Sequence, residues 1–135
     1  MRFLALTLAA FFVIAGPARA DQAAPIQAVI EQQLEAFQRD DAETAFSFAS
    51  PRIQQQFGTA ARFMTMVRQG YDPVYRPISR AFQDAQFDGN RAVQEVLLQD
   101  RRGKTWLAIY LMQQEEDGSW RIAGVRLVEA PAPGA

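Results

Sequence analysis

One stretch of the chain decides its fold: Asp117-Gly118-Ser119-Trp120-Arg121-Ile122-Ala123-Gly124-Val125. It joins a tight turn to the start of a strand that extends from Trp120 to Val128. Three more strand-like runs precede it, at Ile78 to Phe87, Ala92 to Leu98 and Thr105 to Met112, with short turns between them. Because connections this short join antiparallel neighbours, the sequence predicts a four-stranded antiparallel meander.

The side-chain pattern has two features that bear on the shape of this sheet. In the first strand the apolar positions change parity between Phe82 and Ala85, which predicts a β-bulge. The third strand is apolar on both faces: Trp106, Ala108, Tyr110 and Met112 on one, Leu107, Ile109 and Leu111 on the other. Helices can cover one face, and the other needs a wrapped sheet edge or a second subunit. We therefore expect a homodimer through the open sheet face.

Helical segments precede the strands, so the predicted fold class is α+β, with N-terminal helices packed on a curved four-stranded antiparallel sheet. Pro25 suits the first turn of the first helix. The apolar stripe of that helix consists of Ile26, Val29, Ile30, Leu34 and Phe37.

Shorter helices are predicted from their capping residues. Asp40 with Glu43 resembles a capping box at the start of the second helix. Ser50-Pro51 starts the third, which stops at Gly58, and a fourth follows directly. The segment from Tyr71 to Pro77 contains two prolines, which argue against a helix there.

The N-terminus has the layout of a secretory signal peptide. Met1-Arg2 is a short positive start, and an apolar run of 13 residues, interrupted only by Thr7, follows at 3–15. Residues 16–20 end in Ala-x-Ala, so we expect cleavage between Ala20 and Asp21. The alternative is a membrane anchor, for which the apolar run is shorter than the ~20 residues that a spanning helix needs.

Removal of residues 1–20 leaves 115 residues, which suit one domain. We expect a leader over 21–24, a single α+β domain over 25–129 and a disordered tail over 130–135. The mature chain carries 12 basic and 15 acidic side chains, a net charge of −3. This mild acidity argues against nucleic acid as a partner and against a membrane-surface role after cleavage. The expected location is periplasmic or secreted.

The helices followed by the meander resemble the nuclear transport factor 2-like superfamily, also called SnoaL-like. Within it, the chain is similar to a bacterial family of unknown function, domain-of-unknown-function family 4864. The stretches that carry the resemblance are Ala36-Phe37, Asp40-Asp41-Ala42, Ala45-Phe46, Ala49-Ser50-Pro51, Phe57-Gly58, Phe63, Met66-Val67, Gly70-Tyr71, Pro73 to Pro77, Ala92-Val93-Gln94 and Trp120 to Gly124. Together they cover about residues 25 to 129.

The resemblance implies a curved, cone-shaped sheet wrapped around the long first helix, with a cavity between them. It implies no particular activity, because this superfamily includes isomerases, dehydratases, hydrolases and pure scaffolds. Function must therefore be argued from the site itself.

Histidine and cysteine are both absent from the sequence. Their absence excludes Ser-His-Asp and Cys-His nucleophilic systems, histidine bases, and imidazole or thiolate metal sites. No glycine-rich phosphate loop is present either. The sequence thus predicts neither a metal nor a cofactor.

Two segments carry the candidate site residues. The pair Asp40-Asp41 is either a general base with a raised pKa or a helix cap, and capping is the favoured interpretation. The segment from Tyr71 to Pro77 presents two phenols and the Arg76 guanidinium, which could clamp a carboxylate while Tyr75 walls the pocket. Alternatively, the tyrosines cap the core and Arg76 pairs with an acidic neighbour. The acidic neighbours considered are Asp72 and Asp84, and the candidate ligand-binding residues are Tyr71, Tyr75, Arg76 and Tyr110.

Three functions remain open from the sequence. The first is a non-catalytic binding or accessory module whose cavity takes an apolar or carboxylate-bearing small molecule. The second is an isomerase- or dehydratase-type enzyme that uses a buried Asp or Glu facing Tyr71, Tyr75 or Tyr110. The third is a structural partner of another envelope protein.

Overall fold

The computed structural model describes residues 18–130, with side chains from residue 22 onward. Most of the predicted signal peptide and the predicted tail beyond Ala130 lie outside the described residues. The helices are α1 (Ala18–Gln38), α2 (Ala42–Ser47), α3 (Pro51–Phe57), α4 (Ala60–Gly70) and α5 (Asp72–Tyr75). The strands are β1 (Ser79–Asp88), β2 (Arg91–Gln99), β3 (Thr105–Gln114) and β4 (Trp120–Glu129). The α+β class is confirmed.

The four strands form one antiparallel sheet in the order β1-β2-β3-β4, which confirms the predicted meander. The register shifts between Phe82 and Ala85, where the change of parity predicted a bulge. The other edge of the sheet continues past β4 through a parallel bridge between Ala49 and Ile122. The Ser50 N–H donates to the Ile122 carbonyl at 2.8 Å, so the junction of α2 and α3 is tied to the sheet.

The core lies between α1 and the inner face of the sheet. Ile26, Ile30, Leu34 and Phe37 of α1 are at most 1% exposed, which confirms the predicted stripe. Burial of each such side chain contributes about 1.5–3 kcal/mol. The sheet side chains that complete this core are Ala92, Val96, Leu98, Ala108, Tyr110, Met112 and Ile122.

Polar contacts fix α1 to the first two strands. The Arg80 guanidinium of β1 contacts the Glu31 carboxylate of α1 at 2.7 Å. Gln94 of β2 is fully buried, and its amide donates at 2.8 Å to the carbonyl of Gln83, within the bulge of β1. Its amide oxygen accepts from Gln27 of α1 at 3.1 Å. Gln94 therefore supplies a carbonyl of the bulge with a donor and contacts α1 at the same place.

The first helix begins earlier than predicted. It extends back to Ala18, so that Pro25 lies inside it rather than in its first turn. The predicted cleavage point between Ala20 and Asp21 falls within this helix. If the chain began at Asp21, Pro25 would lie near the first turn of the helix. Proline is tolerated there because the first N–H groups of a helix have no helical hydrogen-bond partner.

The predicted cap of α2 was placed one residue too early. Asp41, not Asp40, is the N-cap, and its carboxylate accepts from the Thr44 N–H at 3.2 Å. Asp40 ends α1 instead, with φ +52°. Its N–H donates to Phe37 and the next N–H donates to Ala36, which is the hydrogen-bond pattern of a Schellman motif.

The prediction of no helix between Tyr71 and Pro77 was wrong. One short helix, α5, occupies Asp72–Tyr75. Pro73 lies in its first turn, where a missing N–H has no cost, so only Pro77 acts as a helix breaker. Among the described residues, no helix is both long and apolar enough to cross a membrane.

Candidate functional site

A cavity of about 360 Å³ lies where α1, α3 and α4 meet the first half of β4. Its wall is mainly apolar. The residues that line it are Gln33, Phe37, Ala49, Ile53, Gln56, Phe57, Phe63, Met66, Val67, Tyr71, Val74, Ile122, Ala123, Gly124 and Val125. The cavity thus lies between the first helix and the sheet, with α3 and α4 as its outer wall.

Local sequence signals position this outer wall. Ser50 caps α3, Pro51 occupies its first turn, and Gly58 ends it with φ +77°. Thr59 then caps α4, and its hydroxyl accepts from the Arg62 N–H at 3.2 Å. Gly58 and the Thr59 cap therefore turn the chain sharply between α3 and α4. This turn places both helices over the cavity.

An aromatic cluster forms part of the wall. The ring of Phe63 in α4 lies 6.1 Å from that of Phe37, 5.3 Å from Phe46 and 5.8 Å from Phe57, centroid to centroid. Rings at such distances and tilted to each other attract beyond simple burial. Phe63 is thus held from three sides and gives the cavity a rigid aromatic surface.

The cavity has few polar groups and no charged one. Gln33 is 2% exposed, and its amide nitrogen donates to the Ala45 carbonyl at 3.1 Å, which leaves the amide oxygen available to a ligand. Gln56 and the Tyr71 phenol are the other polar side chains. Within the described part of the chain, no Asp, Glu, Lys or Arg lines this space. The same part contains no cluster of carboxylates that could hold a metal ion.

Of the four candidate residues from the sequence, only Tyr71 lines the cavity. Tyr75 and Arg76 turn instead to Asp40 at the end of α1. The Tyr75 hydroxyl donates to its carboxylate, as do Arg76 at 2.9 Å and Arg68 at 3.1 Å. The guanidinium carbon of Arg68 lies 5.6 Å from the centroid of the Tyr75 ring, and that of Arg76 lies 4.8 Å from it. We call Asp40, Arg68, Tyr75 and Arg76 the Asp40 cluster.

The Asp40 cluster joins the end of α1 to α4 and α5. The hydrogen bond from Tyr75, with those from Arg68 and Arg76, holds the pKa of Asp40 below its ordinary value of 3.8. The sequence left open that Arg76 pairs with an acidic neighbour instead of a ligand. Arg76 does pair with a carboxylate, but that carboxylate belongs to Asp40 and not to Asp72 or Asp84. Asp72 pairs with Arg101. The guanidinium groups of Arg68 and Arg76 are thus both bound to Asp40 rather than presented to a ligand.

Tyr110 lies in the core, fully buried, and does not line the cavity. Its hydroxyl has no hydrogen-bond partner among the described residues. Burial raises the pKa of this phenol well above its ordinary value of 10.0.

Gln33 is the site residue that sequence reasoning missed. It lies three residues after Ile30 and four before Phe37, so helical spacing puts its amide on the buried stripe of α1. The sequence signal for this site residue was a polar glutamine among the apolar residues of that stripe. Phe63 and Val67 are four residues apart in the sequence, which is typical of one apolar helix face, but this spacing alone does not distinguish a core face from a cavity wall.

Comparison with solved structures places this fold among nuclear transport factor 2-like proteins. An NTF-2 like protein of unknown function from Silicibacter pomeroyi DSS-3 has 19% sequence identity and a TM-score of 0.58, over 82% of this chain and 98% of the other. A second, from Burkholderia xenovorans LB400, has 14% identity and a TM-score of 0.50, over 86% and 91%. A protein from Catenulispora acidiphila has 15% identity and a TM-score of 0.51, over 83% and 94%.

The particular family follows from the sequence match. Residues 19–135 match the model of a domain of unknown function, DUF4864, and the chain belongs to this family. The resemblance inferred from the sequence is thereby confirmed. No curated protein matches the chain. At these identities the solved structures establish the fold alone, so function rests on the site.

Proposed function

We propose that this protein is a binding module that takes a small, uncharged, apolar molecule into the cavity between α1, α3, α4 and β4. The observation that carries the proposal is the lining: apolar and aromatic side chains, with a glutamine amide and a phenol as the main polar groups. Binding pockets in proteins commonly combine an apolar wall with a few polar groups that orient the ligand. The Gln33 amide oxygen would accept a hydrogen bond from a ligand hydroxyl or N–H.

The size of the cavity supports a ligand of one or two rings. A cavity of roughly 150 Å³ holds benzene. The volume of about 360 Å³ is about twice as large, so a bicyclic aromatic molecule or a short branched chain would fill it.

The absence of charge around the cavity favours a neutral ligand over a carboxylate. A buried carboxylate without a cationic partner is strongly disfavoured relative to water. The guanidinium groups nearest in sequence to Tyr71, those of Arg68 and Arg76, are bound to Asp40. Of the two ligand classes that the sequence left open, the apolar one therefore has the support of the site.

The alternative of an enzyme has no comparable support. It required a buried Asp or Glu facing a tyrosine in the cavity, and none of the lining residues is acidic. Asp100 is nearly buried, but its carboxylate accepts from the Trp106 indole at 3.0 Å and from two backbone N–H groups of its own turn. That carboxylate stabilises the turn between β2 and β3.

We further propose that the module acts outside the cytoplasm. The support is the order of a positive start, an apolar run and an Ala-x-Ala ending in residues 1–20. Detection of a mature N-terminus at Asp21 by mass spectrometry of the periplasmic fraction tests this. Full-length protein retained in the membrane fraction would point to an anchor instead.

Calorimetric titration with 2-naphthol and with 2-naphthoate tests the cavity. We expect 2-naphthol to bind and 2-naphthoate to bind at least about tenfold more weakly, because the site has no cation to offset desolvation. Val125→Phe, which fills the cavity, should weaken 2-naphthol binding about tenfold or more. Val128→Phe, on the opposite face of β4, is the matched control and should leave it unchanged. Equal binding of both probes, or full binding to the Val125→Phe variant, would refute the proposal.

A further inference from the structure

Methionine is the only sulfur-containing residue type in this chain, because the sequence has no cysteine. Met1 belongs to the predicted signal peptide, so residues 21–135 contain Met64, Met66 and Met112. These three thioethers are therefore the sulfur atoms that an oxidant could attack in the processed protein. Oxidation of a thioether to a sulfoxide converts a flexible apolar side chain into a polar one.

The three methionines differ in their burial. Met64 and Met112 are each 2% exposed and belong to the hydrophobic core. Met66 is only partly buried and packs against that core from outside. Among the described residues, Met66 is also the one methionine that lines the cavity between α1, α3, α4 and β4. An oxidant that enters this cavity therefore meets the sulfur atom of Met66.

Helix geometry explains why two methionines of α4 have such different surroundings. Residues two positions apart project about 200° apart around a helix of 3.6 residues per turn. Met64 therefore enters the core, whereas Met66 joins Phe63 and Val67 on the part of α4 that lines the cavity. One sulfur atom is thus protected by packing, and the other forms part of the cavity wall.

We propose that Met66 is an oxidation site whose sulfoxide weakens the binding of the apolar ligand, an inference that rests on the function proposed above. The oxidant class is a peroxide. The sulfur lone pair attacks one oxygen of hydrogen peroxide, the S–O bond forms and the O–O bond breaks. The second oxygen takes up the proton and leaves as water. The sulfur loses two electrons and the peroxide gains two, so the step needs no further reactant.

The lining of the cavity explains why a sulfoxide there opposes binding. Its polar side chains, within the described part of the chain, are Gln33, Gln56 and Tyr71. The Gln33 amide nitrogen already donates to the Ala45 carbonyl at 3.1 Å. A sulfoxide oxygen at position 66 is a strong acceptor that retains water, and an apolar ligand would displace this water without replacing its hydrogen bonds. The oxidised wall therefore favours water over an apolar ligand.

Peptide mapping by mass spectrometry tests the site itself, on the protein purified as the host cell processes it and treated briefly with hydrogen peroxide. Met66 should be oxidised at least about tenfold faster than Met64 or Met112, because the core must open before peroxide reaches a buried sulfur. Equal rates at the three positions, or faster oxidation of a buried methionine, would overturn the inference. This measurement involves no ligand, so its result does not depend on the function proposed above.

Calorimetric titration with 2-naphthol before and after peroxide treatment tests the effect on binding. Oxidised wild type should bind 2-naphthol about tenfold or more weakly, and treatment with the two stereospecific methionine sulfoxide reductases should restore the affinity. Met66→Leu has no thioether in the cavity wall, so its own affinity should be the same before and after treatment. Met64→Leu, on the same helix, is the matched control and should lose affinity on treatment as wild type does.

The outcomes separate the two proposals. Untreated wild type that does not bind 2-naphthol refutes the proposed function, and the effect of Met66 on binding is refuted with it. Wild type that binds equally well before and after oxidation of Met66 supports the proposed function and overturns the inference alone. An equal loss of affinity in Met66→Leu on treatment also overturns the inference, because it places the effect at another residue.

Discussion

Two adjacent carboxylates have separate roles because the backbone turns between them. Asp40 adopts φ +52° at the end of α1, a conformation that aspartate tolerates better than most residues. Glycine would suit that φ better, but it would leave Arg68 and Arg76 without their shared partner. Asp41 faces the other way and caps α2. Aspartate at position 40 therefore tolerates the turn and, unlike glycine, supplies the carboxylate that Arg68 and Arg76 share.

Removal of single hydroxyls should distinguish the core from this cluster. Tyr110→Phe should stabilise the protein by about 1 kcal/mol, because the deleted hydroxyl is buried without a described partner. Tyr75→Phe deletes a hydroxyl that donates to Asp40 and should lower stability. Urea denaturation of both variants measures the difference. A loss of stability in Tyr110→Phe as large as that in Tyr75→Phe would show that the buried hydroxyl has a partner after all.

The third helix is the least anchored wall of the cavity. None of its residues is fully buried, and it contacts the core through Ile53 and Phe57. Its end depends on Gly58, whose φ of +77° is strained for any residue with a Cβ. Gln54 adds two hydrogen bonds from its amide to the Phe46 and Ala49 carbonyls, each at 3.1 Å. An element without a fully buried residue opens at lower cost than the core helices, which provides a route for a ligand to enter.

Two glycine substitutions test this dependence. Gly58→Ala should destabilise the protein by about 1–2 kcal/mol and weaken 2-naphthol binding, because the left-handed conformation disfavours a Cβ. Gly70→Ala is the matched control: a Cβ there has open space within 4 Å, and the residue ends α4. It should be neutral or stabilise by up to about 1 kcal/mol. The account of α3 fails if both variants have the same stability and binding.

At the scale of elements, most of the fold was predictable and most of the site was not. Strand alternation located the four strands and the bulge before Ala85, because each strand has one face in the core. The short helix α5 was missed because a proline in a first turn looks the same in sequence as a helix breaker. The cavity was not predictable in detail, since Gln33 and Phe63 meet only through tertiary packing.

For the whole molecule, the ionisable groups predict stability against pH. Hydrogen bonds to the four carboxylates of Asp40, Asp41, Asp100 and Asp117 hold each pKa below the ordinary 3.8. These groups stabilise the fold at higher pH, and the contribution is lost as pH falls below 3.8, because the unfolded chain binds protons first. Tyr110 has the opposite effect on stability because burial raises its pKa above 10.0. Above about pH 10 the unfolded chain loses this proton before the folded protein does, so stability falls.

Thermal unfolding from pH 3 to pH 11 checks this profile. With no histidine in the chain, we expect a melting temperature that changes little from about pH 5 to pH 8. It should fall steeply on the acid side and again at the alkaline end. A marked transition near pH 6.5 would require a titrating group that the structure does not contain.

The molecule as a whole presents two separate surfaces on opposite sides of one sheet. The inner face and the helices border a cavity without charged lining residues, whereas the outer face carries apolar and charged side chains such as Ile109, Glu95 and Arg126. Substitutions on the outer face should therefore leave the cavity unaffected, since residues far apart without shared partners contribute additively. Glu95→Arg should leave 2-naphthol binding unchanged.

Nuclear magnetic resonance titration with 2-naphthol tests the central claim most directly, because it shows at once whether and where a neutral ligand binds. The account predicts shifts in the methyl resonances of Ala49, Met66, Val67 and Val125, with no comparable shifts on addition of 2-naphthoate. Shifts confined to the outer sheet face, or a stronger response to 2-naphthoate around Arg68 and Arg76, would contradict it.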